Sequence, residues 1–441
     1  NIYYLIKEIS MSKEENRKNF SKYVSQNILG MIGFSCYVLA DSYFISIAKG
    51  ADGLTALNLV MPLYSIIFSI GEMIGVGSAI RYAISKIKKD ADADDYFWNA
   101  LIWCILSSML FVFAGIFFSA DIMRVLGADE HIVAVGNNYT KIFMCFAPMF
   151  MCNYVTNAFV RNDGAPGIAM SATLFSSLFN IVFDYILMFP MNLGMEGAAL
   201  ATALSPIIGM GICSIHFFSK KSSVRLVVCK PSVRKLVAGS QLGVSAFVGE
   251  MSSAVITLAF NFVILKLAGN VGVAAYGVVA NIAIVTTAVF NGVAQGSQPL
   301  ISSCFGRGDK DGCTQLKRMG YTTAFVLAAV MYSILFIFAG QFVAVFNSEG
   351  SEMLRLYATE GVKLYFIGIF FAGINIVGGG AFSATEDAFK AAVVSVARGF
   401  VLILGAVFVM SAFFGMTGVW LAYAVAEGIT TFIMLVMAMR V

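Results

Sequence analysis

Asp41 and Asp184 each sit inside a long apolar segment with few charges nearby. An ionised carboxylate near the bilayer centre costs roughly 2.5–3.5 kcal/mol on insertion scales, so intramembrane acids usually face a cavity and serve an ion or proton pathway. Tyr37 stands four residues before Asp41, and Asn180 four before Asp184, so each pair shares one helix face. Asp41, Asp184 and Thr202 also agree in depth: counted from Lys49, Pro190 and the loop before Thr202, all three lie about 9–12 Å below the same side at 1.5 Å per residue. Carboxylate, amide, hydroxyl and phenol oxygens suit a hard cation, so sodium could be held at Asp41, Asn180, Asp184 and Thr202. The same two carboxylates could instead share a proton, because adjacent like charges resist double ionisation. Spacing does not choose between the two ions. The competing use is interhelical hydrogen bonding that packs the helices. Asn153 and Asn157 share a face on the fourth apolar segment; Asn157 is carried as a further candidate, nearer the opposite end of its span.

The elements that must position these residues are membrane helices. Of the 441 residues, 59% are hydrophobic and only 12% charged, against about 25% charged in soluble chains. Stretches of about 20 apolar residues, enough to cross a bilayer, recur along the whole chain. Twelve are read, at 23–48, 54–80, 97–119, 137–160, 166–189, 195–218, 238–267, 271–301, 319–340, 362–382, 388–411 and 415–439. They are too long and continuous for barrel strands. The fold expected is an all-α integral membrane protein.

Orientation follows from the basic residues, which are retained on the cytoplasmic side of short loops. With the N-terminus inside, the cytoplasmic segments hold 22 Lys and Arg, Arg161 and Arg440 among them, against four in the outer loops: Lys49, Arg124, Lys266 and Arg355. Both termini are expected in the cytoplasm of a cell-membrane protein, and the net charge of +4 reflects topology rather than nucleic-acid binding. The charged, amphipathic opening through SKEENRKNF reads as no cleavable signal peptide, which leaves targeting to the first span. The eight cysteines are scattered without metal-ligand spacing and read as packing residues.

The chain divides at the basic stretch SKKSSVRLVVCKPSVRK, giving an N-terminal lobe over 1–218, a cytoplasmic linker over 219–235 and a C-terminal lobe over 236–441. Ungapped comparison from Gly50 and from Gly269 matches Gly50 with Gly269, Gly53 with Gly272, Gly77 with Gly296 and Ser78 with Ser297. GMEGAALATAL from Gly194 likewise resembles GMTGVWLAYAV from Gly415. Two pseudo-symmetric six-helix lobes related by an axis along the membrane normal are a usual architecture of secondary transporters, with binding sites between the halves. The positions matching Asn180 and Asp184, near Val401 and Gly405, are apolar or small. Packing duty should recur in a repeat; ion coupling need not.

The run GVAQGSQPLISSCFGRGD at 292–309, the pattern YVLADSYFISIAKGADGLTALNLVMPL in spans one and two, and VRNDGAPGIAMSATLFSSLFNIVFDYIL in spans four and five resemble the multidrug and toxic compound extrusion family. The resemblance implies a V-shaped pair of lobes exporting organic-cation drugs or dyes in exchange for sodium ions or protons. It also implies a coupling site in the N-terminal lobe, carried by the acidic residue of span one and the Asn-x-x-x-Asp of span five. Asn58, Gln295 and Gln298 fall on spans that the resemblance places around the cleft. Glu250 resembles the acidic residue by which another branch binds cations in the C-terminal lobe. It lies 26 residues before Tyr276, about one turn too far for that pattern, and span ten lacks a second acidic residue. Glu250 is therefore carried as a cleft residue. Glu72, Arg398 and Glu427 read either as paired charges or as polar cavity walls.

Enzymatic readings find little support. There is no GxxxxGK[ST] loop, no HExxH among only two histidines, and no loop long enough for a catalytic domain. No catalytic residue and no bound cofactor are expected, beyond sodium or a proton as coupling ion. The chain reads as a monomeric antiporter in the lipid bilayer that alternates access by rocking its lobes, with no nucleic-acid partner. The rivals are a flippase for lipid-linked saccharides, which should have a more cationic cavity than Arg398 alone supplies, and a polytopic enzyme acting on lipids.

Overall fold

A computed structural model describes residues 13–346 and 351–439. The first twelve residues and Arg440, used above for the amphipathic opening and the charge count, lie outside the described residues. The N-terminal half begins with α1 (Lys13–Gly50), α2 (Asp52–Ile87) and α3 (Asp95–Val125). Next come α4, in two pieces (Glu130–Cys145 and Ala147–Asn162), α5 (Pro166–Met188) and α6 (Gly194–Phe217). The continuous helical stretch Val233–Gly306 breaks at Gly269 into α7 and α8. After α9 (Lys310–Ile337), a short helix (Ala339–Phe346) and α10 (Glu352–Ala384), the stretch Ala388–Ala438 breaks at Gly415 into α11 and α12. Counted this way, the described residues hold the twelve membrane-length helices expected, and no strand.

The repeat is visible in backbone conformation. Gly50, Gly194, Gly269 and Gly415 all take positive φ, at 57°, 52°, 63° and 57°. Each lies at a tight helix-to-helix reversal, and the four are the glycines that aligned in two pairs. Left-handed φ is open to glycine and strained for other residues, so these breaks were written in residue type. The bend in α4 was not anticipated. Its two pieces meet at 46° around Phe146, because Pro148 has no amide hydrogen to give the preceding turn and disfavours helical φ/ψ at Ala147.

Apolar side chains gather into two main cores, one per lobe. One joins Leu57, Ile67, Tyr139 and Phe159 of α2 and α4; the other joins Phe260, Phe290, Phe366 and Trp420 of the second half. Phe20 and Val24, on the first turns of α1, pack into the second core. The lobes are tied together on the side that carries the 218–232 linker. There Gly77 of α2 abuts the backbone of Gly239 and Gly243 of α7, and Gly296 of α8 abuts Val24 of α1, where an added Cβ would come within 2.7 Å of the Val24 Cα. Gly77 and Gly296 are repeat partners, so the two seams are symmetric copies. Hydrogen bonds between the lobes cluster on the same side: Arg81 to Glu386, Lys88 to Glu386 at 3.4 Å and Asn16 to Gln315 at 3.3 Å. The linker itself is pinned by Asp163 at the end of α4. Its carboxylate accepts from Ser222 Oγ (3.1 Å), the Ser223 amide (2.9 Å) and the Ser223 hydroxyl, and lies 2.8 Å from His216 Nε2.

Candidate functional site

Asp41 on α1, Asn180 and Asp184 on α5, and Thr202 on α6 converge inside the N-terminal lobe. Asn180 and Asp184 are fully buried, Thr202 nearly so, and Asp41 is 6% exposed. The Asn180 amide lies between Thr202 and Asp184. Oriented by its surroundings, it donates to Asp184 Oδ2 at 3.1 Å and accepts from the Thr202 amide and hydroxyl, each at 3.2 Å. This network knits α5 to α6, as the packing alternative requires. It leaves something over: Oδ1 of Asp41 and Oδ1 of Asp184 are both buried with no hydrogen-bond partner among the described residues. Acceptors in that condition are costly in a low-dielectric interior unless something binds them. Asp41 and Asp184 are within electrostatic reach of each other, so a charge gained or lost at one is felt at the other. Among the described residues no three of His, Cys, Asp and Glu converge, and further ligands for sodium would be the Asn180 and Thr202 oxygens.

A pair of phenols missing from the sequence reading adjoins the carboxylates. Tyr64 of α2 and Tyr139 of α4 share a short hydroxyl–hydroxyl hydrogen bond, are buried, and lie within the electrostatic field of Asp41 and Asp184. Tyr64 also stacks on Phe143 at 3.6 Å between ring centroids. Nothing in the spacing of these tyrosines distinguishes them from core aromatics; only the crossing of α2 and α4 brings their hydroxyls together.

Below the carboxylates lies a partly open cavity walled by Tyr37, Phe68, Asn153, Asn157, Arg161 and Glu250 among others. Tyr37 thus stands between cavity and carboxylates. Asn157 makes its hydrogen bonds to the Ala169 carbonyl (3.1 Å) and Thr173 Oγ1 (3.2 Å) and faces the cavity; the structure does not bring it to the aspartates. A second cavity reaches between the lobes and shares Glu72, Glu250 and Gln295 with the first. Gln298 and Arg398 line it as well. Asn58 lines neither cavity and is exposed.

One charged group stands differently from the sequence reading. Arg161, counted above with the cytoplasmic loops, is only 5% exposed and donates to Asn27 Oδ1 (3.1 Å) and to Gln295 Oε1 across the lobe interface. Gln295 in turn donates to Glu72 Oε1 at 3.2 Å. Arg398 is therefore not the only arginine within the bundle: α4 runs longer than its apolar stretch, and its last turn folds under the cavity. Arg398 itself is paired, 2.7 Å from Glu427, whose carboxylate also accepts from Asn375 at 2.7 Å. Of the alternatives left open for these residues, Arg398 and Glu427 form an ion pair on the cavity wall, and Glu72 is a hydrogen-bonded cavity wall.

The MatE family model matches residues 27–186 and again 246–409, once in each lobe. The chain belongs to the MATE family of transporters. Multidrug export protein MepA of Staphylococcus aureus strain MRSA252 is 27% identical over 414 residues, spanning 91% of this chain and 89% of the relative. MepA of Staphylococcus saprophyticus is 26% identical over 409 residues, with the same coverage. Among solved structures, the outward-facing conformation of a multidrug resistance MATE family transporter of the MOP superfamily superposes with a TM-score of 0.90, at 20% identity and 96% coverage of both chains. A MOP superfamily transporter from Pyrococcus furiosus superposes at 0.89, also at 20% identity and 96% coverage of both. At that identity the two superpositions establish the fold: a MATE bundle of two six-helix lobes.

Proposed function

We propose that this MATE transporter is a multidrug efflux antiporter, exporting organic cations in exchange for sodium ions or protons. The observation that carries the reading is the pair of buried, partly unpartnered carboxylates, Asp41 and Asp184, set above a cavity with aromatic and acidic walls. A cation arriving at the pair neutralises charge, removes the reason for both oxygens to stay apart, and lets α1 move against α5 and α6. That motion reshapes the cavity beneath. With the linker side cytoplasmic, as the basic residues indicate, the seams at Gly77 and Gly296 close the cytoplasmic side in this conformation. Rocking of the lobes about the reversal glycines would open that side and close the other. Each net positive charge entering gains about 2.3 kcal/mol per 100 mV, enough to drive export. The chain works as a monomer in this reading, since coupling pair and cavity are complete within it.

The flippase reading gains Arg161 beside Arg398. The gain is offset by Glu72 and Glu250 on the same walls and by Glu427 against Arg398, so the cavity is of mixed charge rather than a cationic cradle for a pyrophosphate. The test is reconstitution into liposomes with independently imposed sodium and proton gradients, following efflux of a fluorescent cation. The expected result is transport driven by one gradient and lost in Asp41→Ala and Asp184→Ala. Unchanged gradient-driven efflux in both variants would remove the coupling assignment, and turnover of lipid-linked saccharides without cation transport would move the assignment to the flippase.

A further inference from the structure

The linker between the lobes turns its backbone inward and leaves its side chains over. Beyond the bonds to Asp163, the Arg225 amide donates to Asp94 Oδ1 at 3.3 Å and the Ser232 amide to Asn99 Oδ1 at 2.6 Å. Val224 is buried and packs into the N-terminal core. Asn99 stands at the start of the third apolar span, 97–119, so the end of the linker lies where that helix enters the membrane. Five basic side chains, Lys220, Lys221, Arg225, Lys230 and Arg234, are exposed and make no ion pair or side-chain hydrogen bond among the described residues. Elsewhere on this side, Lys86, Lys235 and Lys390 have Asp94, Asp95 and Asp387.

Retention of positive charge on one side of the membrane accounts for the number of these cations, but not for what is interleaved with them. Val228 is 77% exposed, and Leu226 and Val233 are well exposed too, although all three lie outside the spans. Large apolar side chains grouped on a polar face mark a surface that meets something apolar. Cations suited to phosphate and apolar groups suited to acyl chains, at the level of a span end, match the two halves of a phospholipid. We propose that the linker is a docking surface for anionic phospholipids of the leaflet on its side. The five cations take the phosphodiester headgroups, and Leu226, Val228 and Val233 enter the apolar boundary beneath them. The bonds to Asp163, Asp94 and Asn99 hold the backbone in place beforehand, so docking orders little further chain. Lipid held there ties the N-terminal lobe to the leaflet through the one segment that leads into the other lobe.

The full chain in detergent is titrated with phosphatidylglycerol and with phosphatidylcholine, and retained lipids are counted by native mass spectrometry. Wild type should favour phosphatidylglycerol on the order of tenfold or more, and less so as salt is raised. Joint Lys220→Gln, Lys221→Gln, Arg225→Gln, Lys230→Gln and Arg234→Gln should bring the two lipids near equality. Unchanged phosphatidylcholine retention and melting temperature report that this variant is folded. Joint Arg17→Gln, Lys18→Gln and Lys22→Gln removes exposed cations of α1 that have no large exposed apolar residue beside them, and should leave the preference in place. The apolar half is read with trypsin, which cuts after Lys220, Lys221, Arg225 and Arg234. In nanodiscs of an equal mixture of the two lipids the linker should be nicked severalfold more slowly than in phosphatidylcholine alone. Leu226→Ser with Val228→Ser keeps every cut site and should restore fast nicking. The proposal fails if wild type shows no preference, if the α1 variant loses as much as the linker variant, or if nicking is equally fast in both membranes. It fails equally if the serine variant stays as protected as wild type. No readout here involves drug transport, so the outcome is separate from that of the efflux reading.

Discussion

His131 and Asp52 meet at the rim away from the linker, Nε2 to Oδ2 at 2.9 Å. The hydrogen bond to Asp52, and then its charge, raise the imidazole above its ordinary 6.5. A raised folded-state value means that the pair's contribution is fully present below pH 6.5 and is lost as pH climbs through the raised value. Both groups are well exposed, so the contribution is small and screened by salt. Melting curves of wild type and His131→Gln should differ at low pH and low salt and converge as pH rises past the raised imidazole value. Glu427 offers the opposite regime, since it is 2% exposed and binds Arg398 and Asn375. Glu427→Gln leaves the guanidinium uncompensated and should cost about 3–5 kcal/mol, read as a lowered melting temperature, whereas Arg398→Met with Glu427→Leu should cost less. The sequence singled out the Arg398 and Glu427 charges without pairing them, because no spacing rule links residues 29 positions apart on different helices. Asp41 and Asp184 were legible because a charge in an apolar run is conspicuous. Arg161 was not, because it stands where an apolar run ends and a loop is expected.

Helix ends carry most of the sequence's legible architecture. Gly50, Gly269 and Gly415 have open space where a Cβ would go, with nothing within 4 Å. A substitution there tests backbone conformation alone. Alanine at Gly50 should destabilise by about 1–3 kcal/mol, the cost of holding a residue with a Cβ at φ 57°, ψ −141°, and Gly50→Ala with Gly269→Ala should give nearly the sum, as distant sites do. Equilibrium denaturation in detergent measures both. Apolar run lengths gave the number of helices and the residue types gave their reversals, but neither held the angles. The bend of α4 at Phe146 redirects a helix beside the cavities, and the wide π-helical turn at Ala397–Val401 carries Arg398 on the cavity wall. Pro148 could have announced the first; no residue in ARGFV announces the second.

At the scale of the whole transporter, the lobes meet through paired glycine contacts. An added side chain at Gly77 would strike the backbone of Gly239 and Gly243, atoms that cannot move aside cheaply, so Gly77→Val should part the linker-side seam. A cysteine placed beside the seam would then be labelled from the linker side severalfold faster than in the parent; a few kcal/mol is enough to shift such a population decisively. The two-lobe plan itself was readable from the repeat, because Gly77 and Gly296, which align in sequence, each sit at a close contact between the lobes. Their being copies has a kinetic corollary. One seam joins α2 to α7 and the other joins α8 to α1, so each lobe lends a helix to both, and neither seam can open while its twin stays shut. The lobes should therefore separate in one concerted step. A fluorophore placed on either seam should relax with the same single exponential after a jump in coupling-ion concentration.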